Sequence, residues 1–388
     1  MLKKFLLLFI FGLFFYGSAQ TEVKTLVLLG EETNIPVEDA TVTVLKSKHN
    51  YLSNANGAVD LEINGVSTIQ IKHPSYVDIT IKSTFLKEKK NVVYLKSNIN
   101  NLEEIIITKK HPQKILLSLI QNSKKRLTIP SRLKIYSREF YKLNGRYAYY
   151  NDGLMNFQLI NKANKTKVVV LVEQNRSIEL AKIDNYLDLV GYNLNDIMEN
   201  YYNFKYLNPI LESVARKEYD FIIKTYNKNK EYNIIIASPI EDSKGLMDDF
   251  SIIYDPKEKL IIEVSSFLSP TVLSKLKERT RNGTKNIYKS FFKTIYKVQN
   301  NDYFLLSSKE EIGFEKIEKD IKNEIEVRNY FLTTNFSNTN FTYKEDEVFK
   351  EKTLYNKKDI ILSDYWNQSG LTPLEDEQFI LRSIEKLD

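Results

Sequence analysis

Residues able to do chemistry are few in this chain, and they lie far apart. His49, His73 and His111 are the only three histidines, and cysteine is absent. A zinc peptidase centre needs two histidines and a carboxylate converging on an open-coordinated ion. No histidine here has a second at helical spacing, and neither His-x-x-Glu nor His-Glu-x-x-His occurs. The glycine patterns that cradle nucleotides and the Gly-x-Ser-x-Gly nucleophile elbow are missing too. The sequence therefore assigns no catalytic residue, no cofactor-binding residue and no metal ligand.

Three acidic clusters remain: Glu103-Glu104, Asp248-Asp249 and Glu375-Asp376-Glu377. The first flanks a strand, and the third sits where a helix N-terminus favours negative charge. Asp248-Asp249 could be one half of a carboxylate pair for hydrolysis, with a partner that cannot be named. The aromatic run Tyr136, Phe140, Tyr141, Tyr147, Tyr149 and Tyr150 could line a binding concavity or fill the core of a sheet. Trp366, the single tryptophan, reads as a packing anchor, and Arg138 as a strand cation able to pair across a sheet.

The elements that must position these groups are mostly strands. The chain has 388 residues, 25 Tyr, 21 Phe and only 12 Gly, a composition suited to pleated, half-buried surfaces. Residues 1–19 read as a signal peptide: Lys3-Lys4, an apolar run from Phe5 to Tyr16, and Gly17-Ser18-Ala19 before the cut. Without cysteine, a lipoprotein anchor is excluded. No later apolar run approaches the ~20 residues of a membrane-spanning helix, so the mature chain is expected to lack a transmembrane segment. Without Lys3 and Lys4 the balance is 54 basic against 50 acidic residues, which argues against nucleic acid as a partner. Lys275–Arg281 is a basic stretch that reads as a solvated loop or a surface patch.

From 24 to 97, short alternating runs such as Ala58-Val-Asp-Leu-Glu-Ile63 are separated by turn residues, including Asn54-Ala-Asn-Gly57 and His73-Pro74. They predict a small β-sandwich. Ile35-Pro36-Val37 precedes Asp39–Val44; Ser53–Gly57 leads into Val59-Asp-Leu61; His73-Pro-Ser-Tyr76 and Val92–Leu95 follow. This order resembles the carboxypeptidase-regulatory-like domain, a transthyretin-type sandwich, with Ser53, Asn54 and Ser75 departing from its usual Thr, Asp and Gly. Those departures are expected to loosen local turns.

Residues 98–111 read as a linker strand. Leu102–Thr108 is similar to the segment after the same domain in TonB-dependent outer-membrane receptors, and reads either as a strand on a sheet edge or as a docking segment. From 112 to 388 the expectation is one large, curved, antiparallel sheet. It comes with helices at Pro112–Leu127 and Asp184–Asn200, a hairpin at Asp255-Pro256, and a C-terminal helix opened by a Thr372–Glu375 capping box and running to Leu387. In Tyr136–Tyr141 with Gly145–Tyr149, the Asp255-Pro256 hairpin, and Asp364-Tyr-Trp366 with Leu371–Leu374, the region resembles the part found behind regulatory-like domains in uncharacterised Gram-negative envelope proteins. The hairpin is similar to those of lipoprotein-carrier half-barrels.

The fold class expected is thus mainly β. The function expected is a non-catalytic exported envelope protein, periplasmic or associated with the outer membrane, that binds a small ligand or an envelope protein. Two alternatives stand beside it: a carrier or chaperone holding an apolar ligand within a curved sheet, and a carboxylate-dependent hydrolase.

Overall fold

A computed structural model describes residues 22–97, 104–162, 165–181, 194–226, 229, 231–241, 243, 247–269, 278–280, 283–318, 321–339, 341–351, 353–355, 357–362 and 369–384. The signal peptide, Asn98–Asn101, Glu103, most of the Lys275–Arg281 stretch and Trp366 lie outside them.

The N-terminal part is a sandwich of two sheets. Its strands are β1 (Glu22–Gly30), β2 (Thr41–Val44), β3 (His49–Leu52), β4 (Ala58–Ile63), β5 (Thr68–His73), β6 (Tyr76–Lys82) and β7 (Asn91–Leu95). One sheet has the order β4-β1-β7 and the other β3-β2-β5-β6. Alternate residues of each strand point inward, so Leu26, Leu28, Val42, Val59, Leu61, Ile69 and Ile71 form a closed core. Each such side chain contributes about 1.5–3 kcal/mol when fully buried.

Ser53 and Asn54 hold the turn that they occupy. Asn54 Oδ1 accepts from the amides of Asn56 and Ala58, both at 3.0 Å, and closes the β3–β4 turn. Ser53 Oγ donates to Val37 O and accepts from Ala40 N. Gly57 is required: its φ is 68°, and a Cβ there would sit 2.3 Å from Leu28 O.

The larger part opens with α1 (Pro112–Arg126), capped by His111 Nδ1 accepting from Gln113 N at 3.2 Å, with Pro112 in its first turn and Lys124, Lys125 and Arg126 in its last. Then come β8 (Ser131–Leu143), β9 (Arg146–Lys162), β10 (Lys165–Glu179), α2 (Leu194–Asn203), α3 (Asn208–Leu211) and α4 (Ala215–Glu218). They are followed by β11 (Tyr219–Thr225), β12 (Asn233–Pro239), β13 (Asp248–Asp255), β14 (Leu260–Leu268), β15 (Glu278–Thr280), β16 (Gly283–Gln299), β17 (Asp302–Glu318), β18 (Ile321–Ser337) and α5 (Glu375–Ile384).

The strands make one eleven-stranded sheet in the order β10-β9-β8-β18-β17-β16-β14-β13-β12-β11, with β15 on β16, and every pairing is antiparallel. Register shifts at Tyr141/Lys142, Val172/Gln174, Ile253/Tyr254, Ile287/Lys289, Ile295/Tyr296 and Thr333/Asn335 bend it. Asp255 Oδ1 accepts from the amides of Lys257 and Glu258 in the β13–β14 turn, as the hairpin reading expects.

Both outer strands are covered by the chain itself. Ile106 N donates to Ile223 O and Thr225 N to Glu104 O on β11, while Phe349 and Ile360 bond Val170 and Asn175 on β10. Covering an edge removes a template for aggregation.

One face of the sheet carries the main apolar core. Leu133, Ile135, Met155 and Phe157 meet Leu116 and Leu119 of α1, Ile197, Met198 and Tyr201 of α2, and Phe204, Leu207 and Ile210. The expected helix at Asp184–Asn200 is observed from Leu194 to Asn203; residues 182–193 lie outside the described ones.

The sandwich and α5 cover the opposite face. There Leu52 and Leu371 join Tyr136, Leu154, Leu306 and Leu332, and Ile380 meets Phe140 and Tyr150. The expected cap of α5 is shifted by two residues. Glu377 Oε2 accepts from Leu374 N at 3.0 Å, whereas Thr372 Oγ1 accepts from Asp60 N of the sandwich at 2.8 Å. The box geometry exists around Leu374, because Thr372 is held by the neighbouring sheet.

Candidate functional site

The face beneath the sandwich carries one transverse row of charged and polar side chains. Reading across adjacent strands at paired positions, it runs Arg176, Asp152, Arg138, Tyr330, Lys309, Lys293. Period-two alternation puts all six on the same face. Such a row repels itself unless partners are supplied, since like charges directly opposite one another destabilise a sheet.

The sandwich supplies them at one end. Lys293 Nζ lies 2.9 Å from Asp39 and 3.4 Å from Glu263; Lys309 Nζ lies 3.1 Å from Glu38 and 3.2 Å from Glu311. Burial opposes the Lys293 charge, but Glu263 and Asp39 outweigh it and hold its pKa above the usual lysine range. Nearby, Lys297 Nζ donates to Thr43 Oγ1 at 2.9 Å and Asn50 Oδ1 at 2.7 Å, and Asn50 Nδ2 donates to Thr333 O. Without a carboxylate close by, burial pushes Lys297 down to about 8.

At the other end Asp152, fully buried, is the hub. Its Oδ2 accepts from Tyr136 Oη at 2.7 Å, from Tyr150 Oη at 2.5 Å and from Arg176 Nη2 at 3.0 Å; its Oδ1 accepts from Arg176 Nε at 2.9 Å. Burial pushes Tyr136 up to about 12 and holds Tyr150 well above the usual phenol range, so both phenols keep their protons and remain donors.

Arg138 is 4% exposed, and its Nε donates to Tyr136 Oη at 3.1 Å, with the guanidinium over the Tyr136 ring at 5.2 Å. Burial opposes its charge. Tyr136, Tyr150, Glu377 and Asp152 outweigh burial, and Arg138 stays a cation. Among the described residues no carboxylate oxygen lies within 4.0 Å of that guanidinium.

Two clefts meet at Arg138. The larger, about 390 Å³, lies between the sandwich, α5 and the Ser369–Pro373 segment, and its walls include Arg138, Arg176, Arg382, Thr372, Gln378 and Asp60. The smaller, about 50 Å³, shares Arg138, Leu371 and Thr372 with it and reaches Lys293 and Lys309.

On the opposite face, Glu139 and Glu310 flank Asn329 across β8, β18 and β17. Burial raises both carboxyls to about 7; Asn151 opposes the rise at Glu139 and Glu310 adds to it, while Asn329 opposes it at Glu310.

The structure disperses most of the residues singled out in the sequence. Asp248 starts β13 and accepts from Ser266 Oγ at 3.2 Å; burial raises its pKa, the Ser266 bond opposes that, and Asp249 adds to it. Asp376 of the third cluster accepts from Tyr147 Oη at 2.6 Å. His73 Nδ1 accepts from Ser75 N and His111 caps α1, so these two imidazoles hold local turns. Among the described residues no group of three or more His, Asp or Glu is placed to hold a metal ion.

The aromatic run divides between the two faces. Tyr141 and Tyr149 lie with Phe314, whereas Tyr136, Phe140 and Tyr150 lie under α5 and the cleft, and these five are at most 1% exposed. Of the candidate residues noted in advance, Arg138 lines both clefts, Glu377 of the third acidic cluster lines the smaller, and Tyr136 is bonded to Arg138. Asp152 and Arg176 carry no local motif. The signal for them was a charge at an inward position of an otherwise apolar strand, as in Tyr150-Asn-Asp152.

No family model matches the chain, and no curated protein matches it. Among solved structures it is similar to the crystal structure of MucB in complex with MucA(peri), with a TM-score of 0.18 and 8% identity over 58% of this chain and 98% of that one. A likeness of that size carries no argument about this chain.

Proposed function

We propose that this chain is an exported envelope protein that binds a ligand or partner without chemistry of its own, and that its binding site is the cleft between the sandwich, α5 and the sheet. The observation that carries the reading is the cleft itself: about 390 Å³, open to solvent and walled by residues from two separately cored parts of the chain. Junctions of this kind are where small-molecule sites concentrate. In this reading the N-terminal sandwich is a carboxypeptidase-regulatory-like module used as a wall and adaptor, and residues 1–19 direct export.

The carrier alternative is less favoured by the packing. The apolar face of the sheet is filled by side chains of α1, α2 and Phe204–Ile210, which leaves that face to the protein's own core.

The test uses purified mature protein incubated with a solvent extract of the native host's envelope, then gel-filtered and analysed by native mass spectrometry. The wild type should retain a discrete molecule, and Gln378→Trp, which places an indole in the cleft from the surface of α5, should not. Retention of nothing, or equal retention by both proteins, would overturn the assignment of the cleft.

A further inference from the structure

We infer that the cleft holds an oxyanion, a carboxylate or phosphate group of the bound molecule, against the guanidinium of Arg138 with Arg176 and Arg382 beside it. The inference rests on the cleft being the binding site and adds the chemistry of its ligand.

Arg138 carries the argument. A cation taken out of water is costly unless a partner of opposite charge is supplied, and proteins pair such groups almost without exception. Its cross-strand neighbour is a carboxylate, Asp152, yet both oxygens of Asp152 are occupied by Arg176, Tyr136 and Tyr150. Glu377, the other buried carboxylate near it, accepts from Leu374 N and Tyr330 Oη and lies 4.0 Å from Arg328 Nη1. Arg138 uses only Nε, toward a tyrosine oxygen that itself donates to Asp152. Its two terminal nitrogens make no hydrogen bond to any described residue, and its side chain lines the larger cleft.

The remaining wall fits the same ligand. Arg176 is also on it and is already neutralised by Asp152, while Arg382 is exposed on α5. The only acid among the described residues of the wall, Asp60, accepts from Thr25 Oγ1 at 2.6 Å. With Nε engaged, the two terminal nitrogens still present one edge of parallel N–H donors, which carboxylate and phosphate take up as a bidentate pair. Among the described residues Arg138 is the cation of the row with no carboxylate in contact, and such a ligand completes the row there as Glu38 and Asp39 complete it at Lys309 and Lys293.

The test is thermal unfolding of the full mature protein titrated with inorganic phosphate and with acetate, ionic strength being held constant with chloride. In parallel, the protein is co-sedimented with vesicles of phosphatidylglycerol and of phosphatidylcholine. A saturable rise in Tm with phosphate or acetate supports the inference and makes the source a soluble anion. Sedimentation with phosphatidylglycerol alone supports it and makes the source a lipid headgroup.

In either case Arg138→Met should abolish the response and Arg382→Ala should weaken apparent affinity about tenfold. Arg138→Met should also melt close to wild type in chloride, because the one internal bond it gives up is that from Nε to Tyr136 Oη. A response that is absent from the wild type, or undiminished in Arg138→Met, overturns the inference. If the envelope molecule is then still displaced by Gln378→Trp, the cleft remains the site and only its ligand chemistry is wrong. If that molecule also stays on Gln378→Trp, both readings fall.

Discussion

Asp152 and Arg138 stand directly opposite each other on β9 and β8, yet the carboxylate of Asp152 is bonded to Arg176 on its other side. Tyr136 bridges the two, donating to Asp152 and accepting from Arg138. One buried carboxylate thereby serves a row containing two arginines. Arg176 pairs with it directly, and Arg138 reaches it through Tyr136.

Asp152→Asn should therefore be among the most destabilising single changes in the chain. Two buried guanidinium groups would face an amide, and the loss should be about 3–5 kcal/mol, read from urea unfolding. A midpoint within error of wild type would mean that the row relaxes without Asp152.

The Glu139–Glu310 pair makes stability depend on pH. Both carboxyls are raised by burial from 4.5 to about 7, so the folded chain binds their protons more tightly than the unfolded one. The stability they contribute is complete below about pH 4.5 and is lost as pH rises through about 7. Glu139→Gln or Glu310→Gln should leave stability at pH 4.5 nearly unchanged and raise it at pH 8 by about 1–3 kcal/mol. Parallel pH profiles for wild type and both variants would contradict the raised values.

Lys297 works in the opposite sense. Its pKa is depressed from 10.5 to about 8 by burial, so its contribution is present above pH 10.5 and is lost as pH falls through about 8. Lys297→Met removes that cost but forfeits the bonds to Thr43 and Asn50, which also bond each other at 3.0 Å. Relative to wild type, the variant should gain about 1–3 kcal/mol between pH 10.5 and pH 7. Equal differences at the two pH values would show that the amine is not desolvated.

Gly370 ties the two parts together through its backbone. Its carbonyl accepts from Leu52 N at 2.9 Å, its φ is 75°, and a Cβ there would lie 2.8 Å from both Asn50 O and a Leu332 methyl. Gly370→Ala should cost about 1–3 kcal/mol and speed protease cleavage within the Ser369–Pro373 segment. Unchanged cleavage there would mean that the contact is looser than drawn.

Much of this fold was legible in the sequence because alternation in a half-buried sheet survives without any alignment. The large antiparallel sheet expected within 112–388 is observed, with the Asp255-Pro256 hairpin in it. The second half of β17, Lys309–Glu318, has no clear apolar alternation to mark it as strand; its charges are tolerated there by cross-strand pairs such as Lys289–Glu311 and Lys322–Glu315. β3 escaped because His49-Asn-Tyr-Leu52 is short and its polar residues serve the sheet beneath it, Asn50 through Thr333 and Lys297. The site was less legible still. Arg176 meets Asp152 through strand register, and sequence offers no cue for register until the pairing is known.

The position of β18 has a consequence for the newly made chain. It is the last strand of the large sheet in sequence, yet it lies in the interior, pairing β17 on one side and β8 on the other. During synthesis β8–β10 and β11–β17 can form only as two separate meanders, each with an unpaired inner edge, until residue 337 is available. At about 5–20 residues per second, the edge of β8 waits roughly 10–40 s for its partner. An exported chain that emerges unfolded and meets its whole sequence at once avoids that wait, and a form retained where it is translated should be the one that aggregates.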